Sequence, residues 1–574
     1  MRRILILITM ALVSATTLTA RERAAGRTEW LKRAPLTALT MAKAVENAEL
    51  AEVSGTRPVV LLETNYYTYL PGEPLELRLT VHPNGFGSPV TMYLYQENRV
   101  SGERRYYNVA SGLLAAGQQA DLFGTAGGVP VFVPTLSDFV LFGSAGNSSP
   151  LSWGTAGALG AATMVPAGQP GMHQWVIELR DAAGKRVLSR SNAMYSYVTG
   201  TVPVSGTIAQ STTWTADKRY VLSDFVGVAN GATLTIEPGT VVYGGDTRAT
   251  LFIQRGAKIM ADGTARRPIV FTSTQRVGSR AQQDWGSLVI LGNAPINVTG
   301  GQAVLEGLPT QTAYSYGGND PNDSSGVLRY VRLEFGGFLI AANQEINGLT
   351  LGGVGRGTVI DYVEVLHNKD DAFEFFGGTV NAKHLLGVAF ADDGLDFDFG
   401  YSGSVQFVAL IKRGNDEADG NVLTESDNNG QGTAATPLTS PRVYNVTGVR
   451  MASNNGNYGA VLRRNTAGRF HNVIVQGSKN APVNVRDAAT VGNATSGALV
   501  LDHSILFGDF SDAAFPSRTD GAQSRTFVFT TNGRNRNVDP MLAIGTSSLV
   551  KTYMPDLEPL ENSPALDADF VANP

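Results

Sequence analysis

The chain has no cysteine in 574 residues. That excludes disulfides, thiol catalysis and a lipid anchor on an N-terminal cysteine, so stability must come from core burial and backbone ladders. Charge is scarce too, at 17% Asp, Glu, Lys and Arg, and the net charge is −5. Binding to a phosphate backbone needs clustered Lys and Arg, so nucleic acid is excluded as a partner. Histidine is limited to six: His82, His173, His367, His384, His471 and His503. No two share a close metal-ligand spacing, so the sequence gives no support for a zinc site. "GGVGRG" at 352–357 has the wrong glycine spacing for a nucleotide loop and reads as a tight turn. No GxSxG elbow marks a serine hydrolase.

What is abundant is glycine, at 65 residues, with 26 prolines. That composition favours strands and turns over long helices. Residues 1–20 read as an export signal. Met1-Arg2-Arg3 is basic, Ile4 to Val13 is apolar, and cleavage after Ala15 or Ala20 fits the small residues that follow. The apolar run falls short of the roughly 20 residues that span a bilayer, and Val129 to Gly143 is broken by Pro130, Pro134 and Asp138. The mature chain is therefore expected to have no transmembrane segment. It is expected outside the cytoplasm: extracellular, at the outer cell surface or in the periplasm.

Residues 21–55 carry apolar positions at helical spacing and are expected to form a short helical segment or linker. From 56 to 200 the pattern becomes stranded, as in Leu75-Leu77-Leu79 after a Pro-Gly turn. This predicts an immunoglobulin-like β-sandwich. Within it, 108–172 is rich in Gly, Ala and Ser and reads as an embedded hairpin or a surface insertion.

From 201 to 574 another regime holds. "LTIEPGTVV" (234–242) and "LFIQRGAKI" (251–259) share one template 17 residues apart. A unit that short cannot bury its own apolar face, so copies must stack, and strand periodicity with glycine turns favours a β-solenoid. Looser copies begin at Val327, Val359, Ser404, Arg442 and Arg469. The stretches "GATLTIEPGTVVYG", "WGSLVILGNAPIN", "EINGLTLGGVGRGTVIDYVEV" and "DDAFEFFGGTVNAKHLL", with the closing "LENSPALDA", resemble exported bacterial proteins of the pectin-lyase-like class. The resemblance implies an all-β chain with a right-handed parallel β-helix. It leaves activity open, because the members are mostly surface proteins without an assigned reaction, and fold does not settle function. The last segment, "NSPALDADF", is expected to cap the final coil.

The strongest local signal is acidic. Residues 320–430 hold 18 Asp and Glu against 7 Lys and Arg. "KDDAFEFFGG" (369–378) and "ADDGLDFDFG" (391–400) align at an offset of 22, about one coil. Side chains alternate along a strand. If Phe373, Phe375, Leu395, Phe397 and Phe399 point inward, Glu374, Asp396 and Asp398 point outward. Coils stack about 4.8 Å apart, so Glu374 and Asp396 would nearly touch, as would the two Asp-Asp pairs. Further rungs are expected at Asp416, Glu417 and Asp419, and at Asn454, Asn455 and Asn457.

Stacked like charges need neutralising. Calcium bridging Asp370, Asp371, Glu374, Asp392, Asp393, Asp396 and Asp398 is one solution, since hard oxygen ligands suit it. No EF-hand or glycine-rich calcium repeat is present. A glycosidase or lyase site is another, with Asp392, Asp393, Asp396, His367 and Arg463 as candidate catalytic groups. The resemblance includes such enzymes, but their Gly-His-Gly and Arg-x-Lys elements are missing near these acids. Solvated turn residues are the third reading. Phe376 aligns with Asp398 and is expected to face outward, where it could stack on a sugar. The leading expectation is a non-catalytic exported protein that binds glycan or an envelope component, with structural calcium. The alternative is a polysaccharide lyase or glycoside hydrolase.

Overall fold

The computed structural model describes residues 58–567, apart from 277–278, 342–343, 414–421, 452–457 and parts of 65–170 and 543–562. The expected export signal, the helical segment and the rungs at 416–419 and 454–457 lie outside the described residues.

Before residue 200 two sheets share one core. One contains Val59–Thr64, Leu77–His82 and Leu136–Phe142, all antiparallel. The other is built around the long hairpin Gly171–Asp181 and Val187–Tyr197, flanked by Val90–Asn98. Leu62, Leu79, Leu94, Trp175 and Ile177 pack between them. Most of 108–172 lies outside the described residues, but its strand Leu136–Phe142 belongs to the three-stranded sheet. The strand Thr68–Tyr69 runs parallel to Val187–Tyr197, and this strand order does not carry the immunoglobulin comparison. Thr68 meets the next unit directly, through Tyr243 (3.0 Å) and Arg219 (2.7 Å).

From Thr201 to Phe507, 23 strands among the described residues form a parallel β-helix. In its central coils a long bent strand alternates with a short one, and each stacks on its counterpart one coil away. The bends recur at one position. Tyr330, Tyr362, His384, Phe407, Asn445 and Asn472 all sit at φ between 50° and 65°, where the pairing register skips one residue. Positive φ costs a non-glycine residue, and each coil offsets that cost by stacking. Tyr362 lies 4.5 Å from Tyr330 and 4.2 Å from His384, ring centre to ring centre, and Asn472 donates to Asn445 at 2.9 Å.

The short strands position the acids. They are β1 (Leu349–Gly352), β2 (Phe373–Phe376), β3 (Leu395–Asp398), β4 (Thr424–Ser426) and β5 (Ala460–Leu462). Phe373 pairs with Leu395, Glu374 with Asp396 and Phe375 with Phe397. Phe373, Phe375 and Phe397 are fully buried, with Phe375 5.2 Å from Phe397. The expected inward aromatics and outward acids are therefore present. Removing this ladder ring should be expensive: Phe397→Ala is expected to cost about 3–5 kcal/mol through lost burial and a residual cavity, read by denaturant unfolding.

Two aromatic expectations fail. Phe399 does not point inward: φ of +48° ends the strand and turns the ring outside, 5.9 Å from Phe376. Phe376 is outward but covered, because Ile296, Leu305 and Tyr316, from a connection far upstream, close over it. It offers no platform for a sugar. At the far end, Phe527 and Val528 enter the coil core, and Ser524 accepts from the Val485 N–H at 2.9 Å. The apolar plug thus comes from 524–528. Ala565 of the closing segment packs instead in a lateral cluster with Ile505 and Leu542.

Candidate functional site: an acidic cleft

The outward face of β2 to β4 forms an open cleft of about 890 Å³. Ten carboxylates line it: Glu306, Glu345, Asp370, Asp371, Glu374, Asp392, Asp393, Asp396, Glu425 and Asp520. Only two cations among the described residues line it with them, Arg463 and Arg486.

The ladder rule builds most of this. Down one column of the sheet run Thr350, Glu374, Asp396, Glu425 and Val461. The aspartate pairs sit at the turn before each strand and are partly structural. Asp371 Oδ1 accepts from the Asp393 N–H at 2.7 Å, and Asp393 Oδ1 accepts from the Val422 N–H at 2.5 Å. Each therefore holds the backbone of the next coil. Asn347 Nδ2 donates to Glu374 Oε2. Lys412, wholly buried, donates to the carbonyls of Ala391 (3.0 Å) and Asp392 and lies 4.7 Å from the Phe390 ring centre. Lys412 thus ties down the Asp392-Asp393 turn from beneath.

Burial and mutual repulsion dominate the electrostatics. Asp370, Asp371, Glu374, Asp393 and Asp396 are all pushed well above the usual carboxylate range, first by burial and then by neighbouring acids. Burial lifts Glu425 to about 8 despite Arg463, and Asp398 to about 7 despite the Phe399 N–H. Glu306 rises to about 6 through burial and Glu345. None of Asp370, Asp371, Glu374, Asp393 and Asp396 forms an ion pair with Lys or Arg among the described residues.

Two oxygen triads stand out. One oxygen each from Asp370, Asp371 and Asp392 lie within 4.8 Å of one another, and so do oxygens from Asp371, Glu374 and Asp396. Ligands on opposite sides of one calcium ion, at about 2.3–2.6 Å from it, are about 5 Å apart. The donor set is all oxygen and carries enough carboxylates for a six- to eight-coordinate ion of this kind. The residues fit calcium.

Of the sequence-derived candidates, Asp370, Asp371, Glu374, Asp392, Asp393 and Asp396 converge here. Asp398 lies beside the cleft, its Oδ1 taken by the Phe399 N–H at 2.6 Å. Arg463 also converges, but clamped: Nη2 is 2.5 Å from Glu425 and Nε 3.0 Å from Asp427. Burial alone would lower its pKa; the two carboxylates outweigh that and raise it. His367 does not join the site. Its positive φ (+54°) turns it onto Phe335 (5.3 Å), and burial with the Arg413 charge lowers its pKa to about 4. His384 stacks between Tyr362 and Phe407 and pairs with Asp361 at 2.7 Å.

The sequence reading missed Glu306, Glu345, Glu425, Asp427 and Lys412. The third rung is "TES" (424–426), with Ser426 at the inward position of Phe397. Without an inward aromatic its strand pattern was invisible. Glu306 and Glu345 come from connections with no period to find.

Residues 206–538 match the family model of the pectate-lyase-like beta helix domain, and all of the acidic cleft falls inside that span. No curated protein and no solved structure matches the chain. No helix among the described residues is long and apolar enough to cross a membrane.

Proposed function

From a chain that belongs to the pectate-lyase-like beta helix domain family, we propose an exported, non-catalytic protein that uses calcium in its acidic cleft to bind an anionic glycan. The observation that carries this reading is the pair of oxygen triads sharing Asp371, in a cleft where ten carboxylates face two guanidiniums. Asp370, Asp371, Glu374, Asp392 and Asp396 would hold the ions. Bound calcium would supply positive charge and open coordination positions for glycan carboxylates or hydroxyls. Outside the cytoplasm, where calcium is plentiful, weak sites suffice.

Both guanidiniums that line the cleft among the described residues are engaged, which supports binding over an arginine-based elimination. β-Elimination of a uronate needs a group that takes a carbon-bound proton. Arg463 is clamped and its pKa raised, and Arg486 sits over the Tyr458 ring at 5.4 Å. The second reading, a glycoside hydrolase or lyase, is favoured by carboxyls held protonated near neutral pH, which general acids require.

A polysaccharide panel separates the two readings. The full chain is expected to retain polyuronates in calcium, release them in chelator, and generate no reducing ends or unsaturated products. Cleavage that disappears in Asp393→Asn would overturn the non-catalytic reading and establish the second.

A further inference from the structure

His471, Asp502 and His503, none of which lines the acidic cleft, meet on neighbouring strands. β6 (Gly468–Gln476) and β7 (Leu499–Asp502) are parallel neighbours with His471 opposite Asp502. His503 follows at φ +52°, so the chain bends and its ring returns beside Asp502. One ligand atom from each residue lies within 4.8 Å of the other two. His503 Nδ1 and Asp502 Oδ2 are 3.3 Å apart. Ligands about 2.0–2.1 Å from a shared tetrahedral centre have edges of about that length. Nδ1 of His471 is enclosed and makes no hydrogen bond. Tyr444 stacks on the His471 ring at 5.1 Å and sets its plane.

We propose that His471, Asp502 and His503 form a second metal site, for a divalent transition ion of the Zn²⁺ type. Two imidazoles and one carboxylate suit such ions better than calcium, which prefers oxygen alone. Three protein ligands leave a fourth position for water or an exogenous ligand. Arg534 Nη1 donates to His503 Nε2 at 3.1 Å. With a metal on Nδ1 the ring proton moves to Nε2, which then donates, so Arg534 must swing away. Arg534 therefore opposes loading.

The test is calorimetric titration of the chelator-stripped full chain with Zn²⁺, in millimolar calcium to fill the oxygen sites. Co²⁺ spectra report the coordination. One equivalent is expected to bind with tetrahedral Co²⁺ bands. Loss of one ligand, in His471→Gln or Asp502→Asn, is expected to weaken binding by about 100-fold or more, since even outer partners of a ligand contribute about 10–100-fold. Arg534→Ala is expected to tighten binding, which a merely structural cluster would not do. Asp371→Asn is expected to leave this equivalent intact, separating it from the calcium reading. Metal-free melting temperatures of the variants confirm folding. Absence of a Zn²⁺ equivalent, or one indifferent to both His471→Gln and Asp502→Asn, overturns the proposal.

Discussion

Asp371→Asn is expected to abolish calcium binding and, at the same time, to raise the melting temperature of the metal-free protein at pH 8. The two effects have one cause. Asp371 belongs to both oxygen triads, so its loss removes a charged ligand from each. Without metal, the same carboxylate is buried and repelled by Asp370, Asp393, Asp396 and Glu374. An amide of equal size removes that repulsion and keeps the Oδ1 that accepts from the Asp393 N–H. In the parent protein, calcium at about 100 times its Kd should add about 2.7 kcal/mol of stability. In the variant that increment should vanish. Melting curves with and without calcium, paired with calcium titration calorimetry, read both effects. A variant that binds calcium like the parent, or melts lower without it, contradicts the assignment.

The pH dependence of the metal-free protein should be as large, and of a sign unusual for carboxylates. Most native acids have depressed pKa values and stabilise at higher pH. Here Glu306, Asp398 and Glu425 are raised, to about 6, 7 and 8. A group with a raised folded pKa contributes stability that is fully present below its unfolded value, near pH 4, and is lost as pH rises through the folded value. The metal-free protein should therefore melt progressively lower from pH 5 to pH 8. Calcium should remove most of that fall, because it stabilises the ionised form that high pH produces. Melting temperatures across this range in chelator and in calcium test the claim. A flat profile in chelator would show that the acids are solvated, and a rise toward pH 8 that they are paired with cations; either would contradict the raised values.

Much of this cleft was legible in the sequence, for a definite reason. The 22-residue offset between "KDDAFEFFGG" and "ADDGLDFDFG" matches the pairing of β2 on β3 residue for residue. The large ring at every second position announced the strand, and the ring at Phe397 set its register. Where the ring was replaced, as by Ser426, the rung disappeared from view, although Glu425 completes the column. The zinc-type cluster escaped for a related reason. His471 and His503 stand 32 residues apart, no short motif, yet coil stacking makes His471 the neighbour of Asp502.

By itself, then, the sequence determined that a β-helix forms, that 369–378 stacks on 391–400 and that Glu374 and Asp396 leave the core, because strand alternation has a period of two and a slip by one would bury the acids. Only the tertiary structure decided what lies outside the coil. Ile296, Leu305 and Tyr316 fold over Phe376, Glu306 and Glu345 join the acids, and Arg463 is drawn onto Glu425 and Asp427. Burial and the charge around a carboxylate are set by neighbours far away along the chain. They turn an outward acid into one whose pKa lies well above the usual carboxylate range.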